Sequence, residues 1–228
     1  MEYRREKVAM PLVDLLKKRT SVRAFLDKPV PAETMRQIFT NAQLSPSNCN
    51  VQPWQIYVVS GTEKDVLKDK LIRAVMKGKE PNPDFDWKIS YKGIHRDRQF
   101  GSANALYSSM GIERSDKNSR MAAMLKNWSF FDAPHALFFT MEKYLNIMGA
   151  VDIGIYAQTL TLLMTEHGIS SCLQGALGQF PDPVREFFNI PEERGILFGM
   201  SFGYADETAA VNRTRTEREP VENSVIFR

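Results

Sequence analysis

Apolar positions recur along the chain at two periods, and the switches between them mark out the elements. Residues 11–19 (PLVDLLKKR) place Leu12, Leu15 and Leu16 on one face of a short helix. Lys17, Lys18 and Arg19 gather at its C-terminal end, where cations complement the helix dipole. After Pro29 and Pro31, residues 32–43 repeat the helical spacing with Met35, Ile38, Phe39 and Ala42. Residues 54–60 (WQIYVVS) predict a strand ended by Gly61, and residues 63–77 predict an amphipathic helix carrying Val66, Leu67, Leu71 and Val75. Residues 78–98 break all periodicity; two prolines and several aromatics there suggest an ordered surface excursion or lid. Helical character returns at 99–111 and 118–128, and residues 135–141 (HALFFTM) predict a second strand. Residues 149–167 form a helix interrupted only by Asp152, Glu166 and His167, and a helix apolar on nearly all sides belongs in a core or a subunit interface. Further strands are expected over 169–174 and 196–204. Beyond the polar run 206–220, residues 223–227 (NSVIF) have strand character, and such a terminal strand often pairs with another chain's sheet edge. Strands and helices mix without a βαβ rhythm, which predicts an α+β fold.

Composition narrows the class. The chain has 228 residues, enough for one large domain or two small ones, with 43% hydrophobic and 25% charged residues. That excludes a disordered chain, a collagen-like repeat and a disulfide-knotted mini-protein. The net charge of +3 is too small to indicate nucleic acid, and no concentrated basic stripe is present. Cys49 and Cys172 lie far apart; a disulfide stays open, with two reduced thiols in a cytosolic protein the preferred reading. The N-terminal apolar run is too short for a signal-peptide core, and no stretch approaches 18 uninterrupted apolar residues. The expectation is a cytoplasmic protein with no membrane and no nucleic-acid partner.

The familiar catalytic signatures are missing. There is no G-x-G-x-x-G, no phosphate-binding G-x-x-x-x-G-K-[ST] and no G-x-S-x-G. His95-Arg96-Asp97 imitates a kinase catalytic loop but lacks the Asn beyond it. His95, His135 and His167 lack metal-ligand spacing, and His135 and His167 read as structural polar groups. With no acid–base pair and no nucleophile constellation, any catalysis belongs to a cofactor.

Four stretches could carry a site. Arg19, Ser21 and Arg23 alternate just after the first helix, so an extended segment puts them on one side, where two guanidiniums and a hydroxyl suit a phosphate. The same residues also fit a solvated basic helix end. In Ser45-Pro46-Ser47-Asn48-Cys49-Asn50-Val51-Gln52-Pro53-Trp54, stiff backbone presents amides suited to a planar heterocycle, or forms an ordinary polar turn. Ser171–Gly178 follows an apolar strand with Gly175 and Gly178, which allow a ligand ring to approach the backbone. Asn212-Arg213-Thr214-Arg215-Thr216-Glu217-Arg218 again spaces Arg213 and Arg215 by two, or is a solvated charged run.

In this order the four stretches resemble the nitroreductase family of flavoproteins. The resemblance rests on R-x-S-x-R after the first helix, P-S-x-x-N-x-Q-P-W before the first strand, a Gly-containing loop after the long apolar helix, and G-Y-A-D followed by N-R-x-R. It covers about residues 12–218, one FMN-binding unit in which 78–128 is a variable, lid-like segment that matches no pattern. It implies a mostly antiparallel central sheet flanked by helices. It also implies an intertwined homodimer with C-terminal strand exchange and one FMN at each of two sites built from both chains. Carried over residue by residue, Arg19, Arg213 and Arg215 would hold the FMN phosphate, with Thr20 and Ser21 beside them. Arg23 would lie near the N1/O2 edge of the ring. Pro46, Ser47, Asn48, Asn50 and Gln52 would come from the partner chain as a wall, and Gln174 and Gly175 would place backbone N–H groups near N5 and O4.

The implied reaction is ping-pong: a hydride passes from NADH or NADPH to flavin N5, and a nitroaromatic or quinone-type acceptor then takes the electrons. The same scaffold would also suit a flavin-dependent dehalogenase or dehydrogenase, or a non-catalytic flavin-binding protein. Arg96, Arg98, Arg114 and Arg120 are open between a contact to the 2′-phosphate of NADPH and plain solvated charge. Phe85, Trp87, Tyr91, Tyr107, Trp128 and Phe130 are open between slot and core.

Overall fold

The computed structural model describes residues 10–78, 80–86 and 89–228. Its centre is the α+β arrangement expected from the pattern. Strands β1 (Gln55–Ser60), β2 (His135–Glu142), β3 (Ser170–Gln174) and β4 (Arg194–Gly203) pair antiparallel throughout, in the order β1-β2-β4-β3. Seven α-helices surround them among the described residues: α1 (Leu12–Lys18), α2 (Ala32–Ala42), α3 (Gly61–Met76), α4 (Gly93–Ser109), α5 (Lys117–Leu125), α6 (Asn146–Glu166) and α7 (Pro181–Phe188).

The continuous apolar run of β2 reflects burial on both faces of the sheet. Leu137, Phe139 and Met141 pack with Ile38 of α2 and with Ile153, Tyr156 and Leu160 of α6. Ala136 and Phe138 point the other way, onto Leu67 and Leu71 of α3 and Val184 of α7. Burying each such side chain contributes roughly 1.5–3 kcal/mol, so the two layers form one cooperative core. A bulge sits in β4 where Phe139 faces Phe198 but Thr140 faces Ile196, leaving Leu197 as the extra residue. α6 is long and apolar enough by length and composition to cross a membrane. Here it is the core helix, with Ile153, Tyr156, Ala157, Leu160 and Met164 buried against the sheet and α2.

Three expectations change, and one helix appears that was not expected. The helix expected from residue 99 begins at Gly93, and the one expected to reach 128 stops at Leu125. Beyond it the chain turns through three successive left-handed residues, Phe130, Phe131 and Asp132. α7 has no counterpart among the expected elements, although Pro181 at its first position and Val184 on its buried face fit a helix start, since a first helical turn accepts proline. Residues 223–227 form no strand. A short 3-10 turn at Val221–Asn223 leads into irregular chain that leaves Ile226 and Phe227 exposed, since a strand needs a sheet edge and one chain offers none there.

The excursion after α3 is anchored at its base. Asp84, nearly buried, accepts two bonds of 2.8 Å from Arg185 and one of 2.9 Å from the Ile196 N–H, and pairs with Lys143 at 3.0 Å. Phe85 packs so closely on β4 that a Cβ at Gly195 would lie 2.5 Å from its ring. Trp128 and Phe130 are core side chains, Tyr91 is exposed, and Trp87 lies outside the described residues.

Candidate cofactor-binding cleft

α1 ends at Arg19, whose N–H still bonds to Leu15 O at 2.8 Å while its own backbone turns extended. The extended segment that follows is held from both sides. Ser21 bridges Ser171 in parallel, Val22 N–H donates to Ser171 O at 3.1 Å, and Phe25 bridges Ala205 antiparallel. Val22 is buried, which turns Ser21 and Arg23 outward, as period-two spacing requires.

The C-terminal arginines are brought to this segment by Asn212. Its Oδ1 accepts the Arg23 N–H at 2.8 Å, and its Nδ2 donates to Ala24 O and Asp206 O, each at 2.8 Å. The Asp206 carboxylate in turn accepts from the Thr208 hydroxyl and N–H, which hold its pKa below the usual carboxylate value. Asn212 thus ties the two ends of the described chain together. It stood at the head of the fourth stretch in the sequence but drew no role there, because an amide's three bonds cannot be read from spacing.

The result is a cleft of about 800 Å³ lined by Arg19, Thr20, Ser21, Arg23 and Arg215, and also by Lys17 and Arg218. No Asp or Glu lines it. None of Arg19, Arg23, Arg213 and Arg215 forms an ion pair among the described residues. Arg215 is steadied by its own backbone, donating to Asn212 O and Thr214 O at 2.9 Å. Hydroxyls of Ser102, Thr214 and Thr216, the Gln158 amide, and apolar Leu106 and Leu173 complete the walls. Thr214, Thr216 and Leu173 fall inside stretches marked out in the sequence, whereas Ser102 and Leu106 of α4 and Gln158 of α6 carry no such mark, since they meet the others only in the fold. A neighbouring cleft of about 920 Å³ shares Arg19, Thr20 and Arg215 and adds Arg213. Across Arg23 and Leu106 lies a third, of about 580 Å³, walled by Phe25, Tyr107 of α4, Met124 of α5 and Asn127.

The other predicted residues lie elsewhere. Pro46, Ser47, Asn48, Asn50 and Gln52 line none of these three clefts within one chain. They form a tight turn in which Cys49, Asn50 and Gln52 all adopt left-handed backbone, at about 1–2 kcal/mol per non-glycine residue. Gln52 N–H donates to Ser47 Oγ at 2.9 Å, and Asn48 N–H donates to Asp152 Oδ1 of α6 at 3.0 Å. Gln174 is buried, its amide donating to Asn127 O at 2.9 Å and accepting from the Ser201 hydroxyl. Of the two glycines after β3, Gly175 faces open space, as a ligand approach requires. Gly178 serves packing instead, because a Cβ there would lie 2.5 Å from Leu197 O. Both cysteines are free; Cys49 is exposed, and burial pushes the Cys172 thiol up to about 11. His135 is a structural group, as expected: buried, bonded to Val30 N–H and Ser60, and stacked on Phe202.

A sequence model of the nitroreductase family matches residues 16–204. The chain therefore belongs to the nitroreductase family. It is 34% identical over 233 residues to the 4-nitrobenzoate reductase of Nocardioides sp. strain LMS-CY, covering 96% of this chain and 92% of that one. The fold superposes on the FMN-dependent nitroreductase NfnB of Mycobacterium smegmatis, solved with NADPH, with a TM-score of 0.91 and 38% identity, covering 95% of this chain and 98% of that one. It also superposes on the FMN- and NADPH-dependent NfnB of Sphigopyxis sp. strain HMH, with a TM-score of 0.93 and 32% identity over 96% of this chain and 99% of that one. Arg213 and Arg215 lie beyond the span matched by the family model, so their place rests on the geometry of the cleft.

Proposed function

We propose that this protein is an FMN-dependent oxidoreductase that draws electrons from NADH or NADPH and reduces nitroaromatic or quinone-type acceptors. The observation that carries the proposal is the cleft where Lys17, Arg19, Arg23, Arg215 and Arg218 converge with no carboxylate. Such a cleft suits a group of charge near −2, because like charges left unpaired in one concavity raise its affinity for an anion. The donor set fits FMN: guanidiniums for the phosphate, hydroxyls of Thr20 and Ser21 for phosphate or ribityl, and apolar Leu173 for the ring.

Bound FMN supplies the hydride and electron transfer. The chain's own residues bind and orient. Arg19, Arg213 and Arg215 hold the phosphate end. Arg23, on the wall shared with the third cavity, stabilises negative charge at the N1/O2 edge. Gln174 and Gly175, next to the cleft-lining Leu173, would supply backbone donors to the N5/O4 edge. The cavity beside Arg23 offers an aromatic acceptor apolar walls that include Leu106 and Tyr107 of α4 and Ala123 and Met124 of α5. Donor and acceptor use this slot in turn, so no dedicated dinucleotide domain is needed.

The active form in this proposal is a homodimer. Leu12, Val13 and Leu16 of α1 and Ile147, Val151 and Ile155 of α6 leave an apolar face exposed on one chain. α1 and α6 pack together, and Val13 and Leu16 also edge the arginine cleft. A second copy on this face would bring its Pro46–Gln52 turn to the cleft, and Ile226 and Phe227 offer a C-terminal arm for the exchange. The compartment is the cytoplasm, where both free thiols stay reduced.

Purified protein should be yellow and release flavin on denaturation; colourless protein that cannot be loaded with FMN refutes the proposal. Replacing Arg213 and Arg215 together by Ala should weaken FMN binding at least tenfold, since each charge-assisted hydrogen bond contributes about 1.5–3 kcal/mol. Unchanged affinity removes the phosphate role. Stopped-flow bleaching by NADPH or NADH, followed by turnover with nitroarenes, quinones and halophenols, separates a reductase from a dehalogenase or a flavin carrier.

A further inference from the structure

α6 carries one acidic side chain in its buried stretch, Asp152, which is 2% exposed. Its Oδ1 accepts the Asn48 N–H at 3.0 Å, while its Oδ2 is buried with no protein donor. A carboxylate in that position is costly, and an alanine or leucine would pack on α6 without the cost. The carboxylate does one visible thing in return: it holds the first N–H of a turn whose Cys49, Asn50 and Gln52 are all left-handed. The other bonds of residues 46–52 are internal, such as Val51 N–H to Asn48 O at 3.1 Å and the Gln52 amide to Asn50 O at 3.1 Å. Among the described residues, the Asp152 bond is what ties this turn to another element. One helical turn further on, Tyr156 stacks on Trp54 at 4.8 Å and fixes the far side of the segment.

We infer that Asp152 is a positioning residue that sets the shape of the Ser47–Gln52 turn from the core helix. This rests on the reading that the turn is the flavin wall presented to a second copy. The strained backbone persists because α6 over-determines it, and FMN retention depends on the buried carboxylate without contact between them.

Cys49 lies inside the turn and is exposed on the single chain, whereas Cys172 is buried with its thiol pushed up to about 11, so thiol labelling, compared at matched oligomeric state, reports on the turn. The purified flavoprotein, Asp152→Ala and Asp152→Asn are compared by the rate of Cys49 labelling with iodoacetamide, by FMN affinity and by thermal melting. Asp152→Ala should label at least tenfold faster at temperatures well below its melt and bind FMN at least tenfold more weakly. Asp152→Asn keeps an oxygen for the Asn48 N–H and should label within threefold of the wild type. A cooperatively folded Asp152→Ala that labels at the wild-type rate overturns the inference, as does Asp152→Asn labelling as fast as Asp152→Ala. Should Asp152→Ala not fold, amide exchange in the unmutated protein decides: Asn48 N–H should exchange at least a hundredfold more slowly than in a free peptide, and an unprotected Asn48 overturns the inference. A wild-type protein that takes up no FMN defeats the flavin reading instead, while labelling and exchange still decide the role of Asp152.

Discussion

Protonating His135 should unlock the core. Its ring is only 3% exposed, and both nitrogens are committed. Val30 N–H donates to Nε2 at 2.8 Å, so Nε2 is bare; Nδ1 therefore carries the proton and donates to Ser60 Oγ at 2.6 Å. Burial, with a smaller push from Lys64, lowers the imidazole from its ordinary 6.5 to about 4. The unfolded chain then binds a proton that the folded chain refuses, so the neutral ring's contribution is complete above pH 6.5 and lost as pH falls toward 4. At about 1.4 kcal/mol for each tenfold change, that gap amounts to at most about 3 kcal/mol. Urea unfolding at fixed protein concentration, from pH 7.5 to pH 4, should show this loss over and above that of His135→Gln, which cancels the carboxylates common to both. The chain has three histidines, so His95→Gln and His167→Gln variants identify the His135 ring resonance by NMR. A His135 resonance titrating near 6.5, or equal acid sensitivity in wild type and His135→Gln, would refute the reasoning.

Three further outcomes are expected. Asn212→Ala removes two hydrogen bonds that join the N- and C-terminal segments and a third, local one to Asp206 O, and should lower stability by about 2–4 kcal/mol in urea titrations, with FMN affinity falling alongside; unchanged affinity would show that the arginines find the cleft without it. Arg23→Ala should lower the flavin midpoint potential more than it lowers affinity, and an unmoved potential in spectroelectrochemistry excludes the N1/O2 role. Val151→Lys with Ile155→Glu places charges on the exposed face of α6 and should yield monomers that lose FMN, as read by sedimentation and flavin absorbance; a stable dimer would move the interface elsewhere.

Periodicity made most of the fold legible. β2 read as a strand because its apolar run, Ala136–Phe139 with Met141, is too short for a buried helix, and α6 read as core or interface and supplies both a buried and an exposed apolar face. The arginines of the two ends could be paired only through family resemblance, since 194 positions separate Arg19 from Arg213 and the contact is made by Asn212 and short β-bridges. Ser102 and Gln158 join the cleft from α4 and α6, and nothing local marks them. The terminal NSVIF run is irregular in the single chain because β-propensity describes side chains that suit a pleated surface and a strand also needs a neighbouring edge, which in the proposed dimer a second copy would supply.

The clasp at Asp84 separates two kinds of evolutionary freedom. Because Arg185, Lys143 and the Ile196 N–H secure the excursion where it leaves the core, mutations farther along it need not be felt by the sheet. The tip can then vary over an unchanged foundation, and loss of Asp84 itself should be the change such variation cannot tolerate.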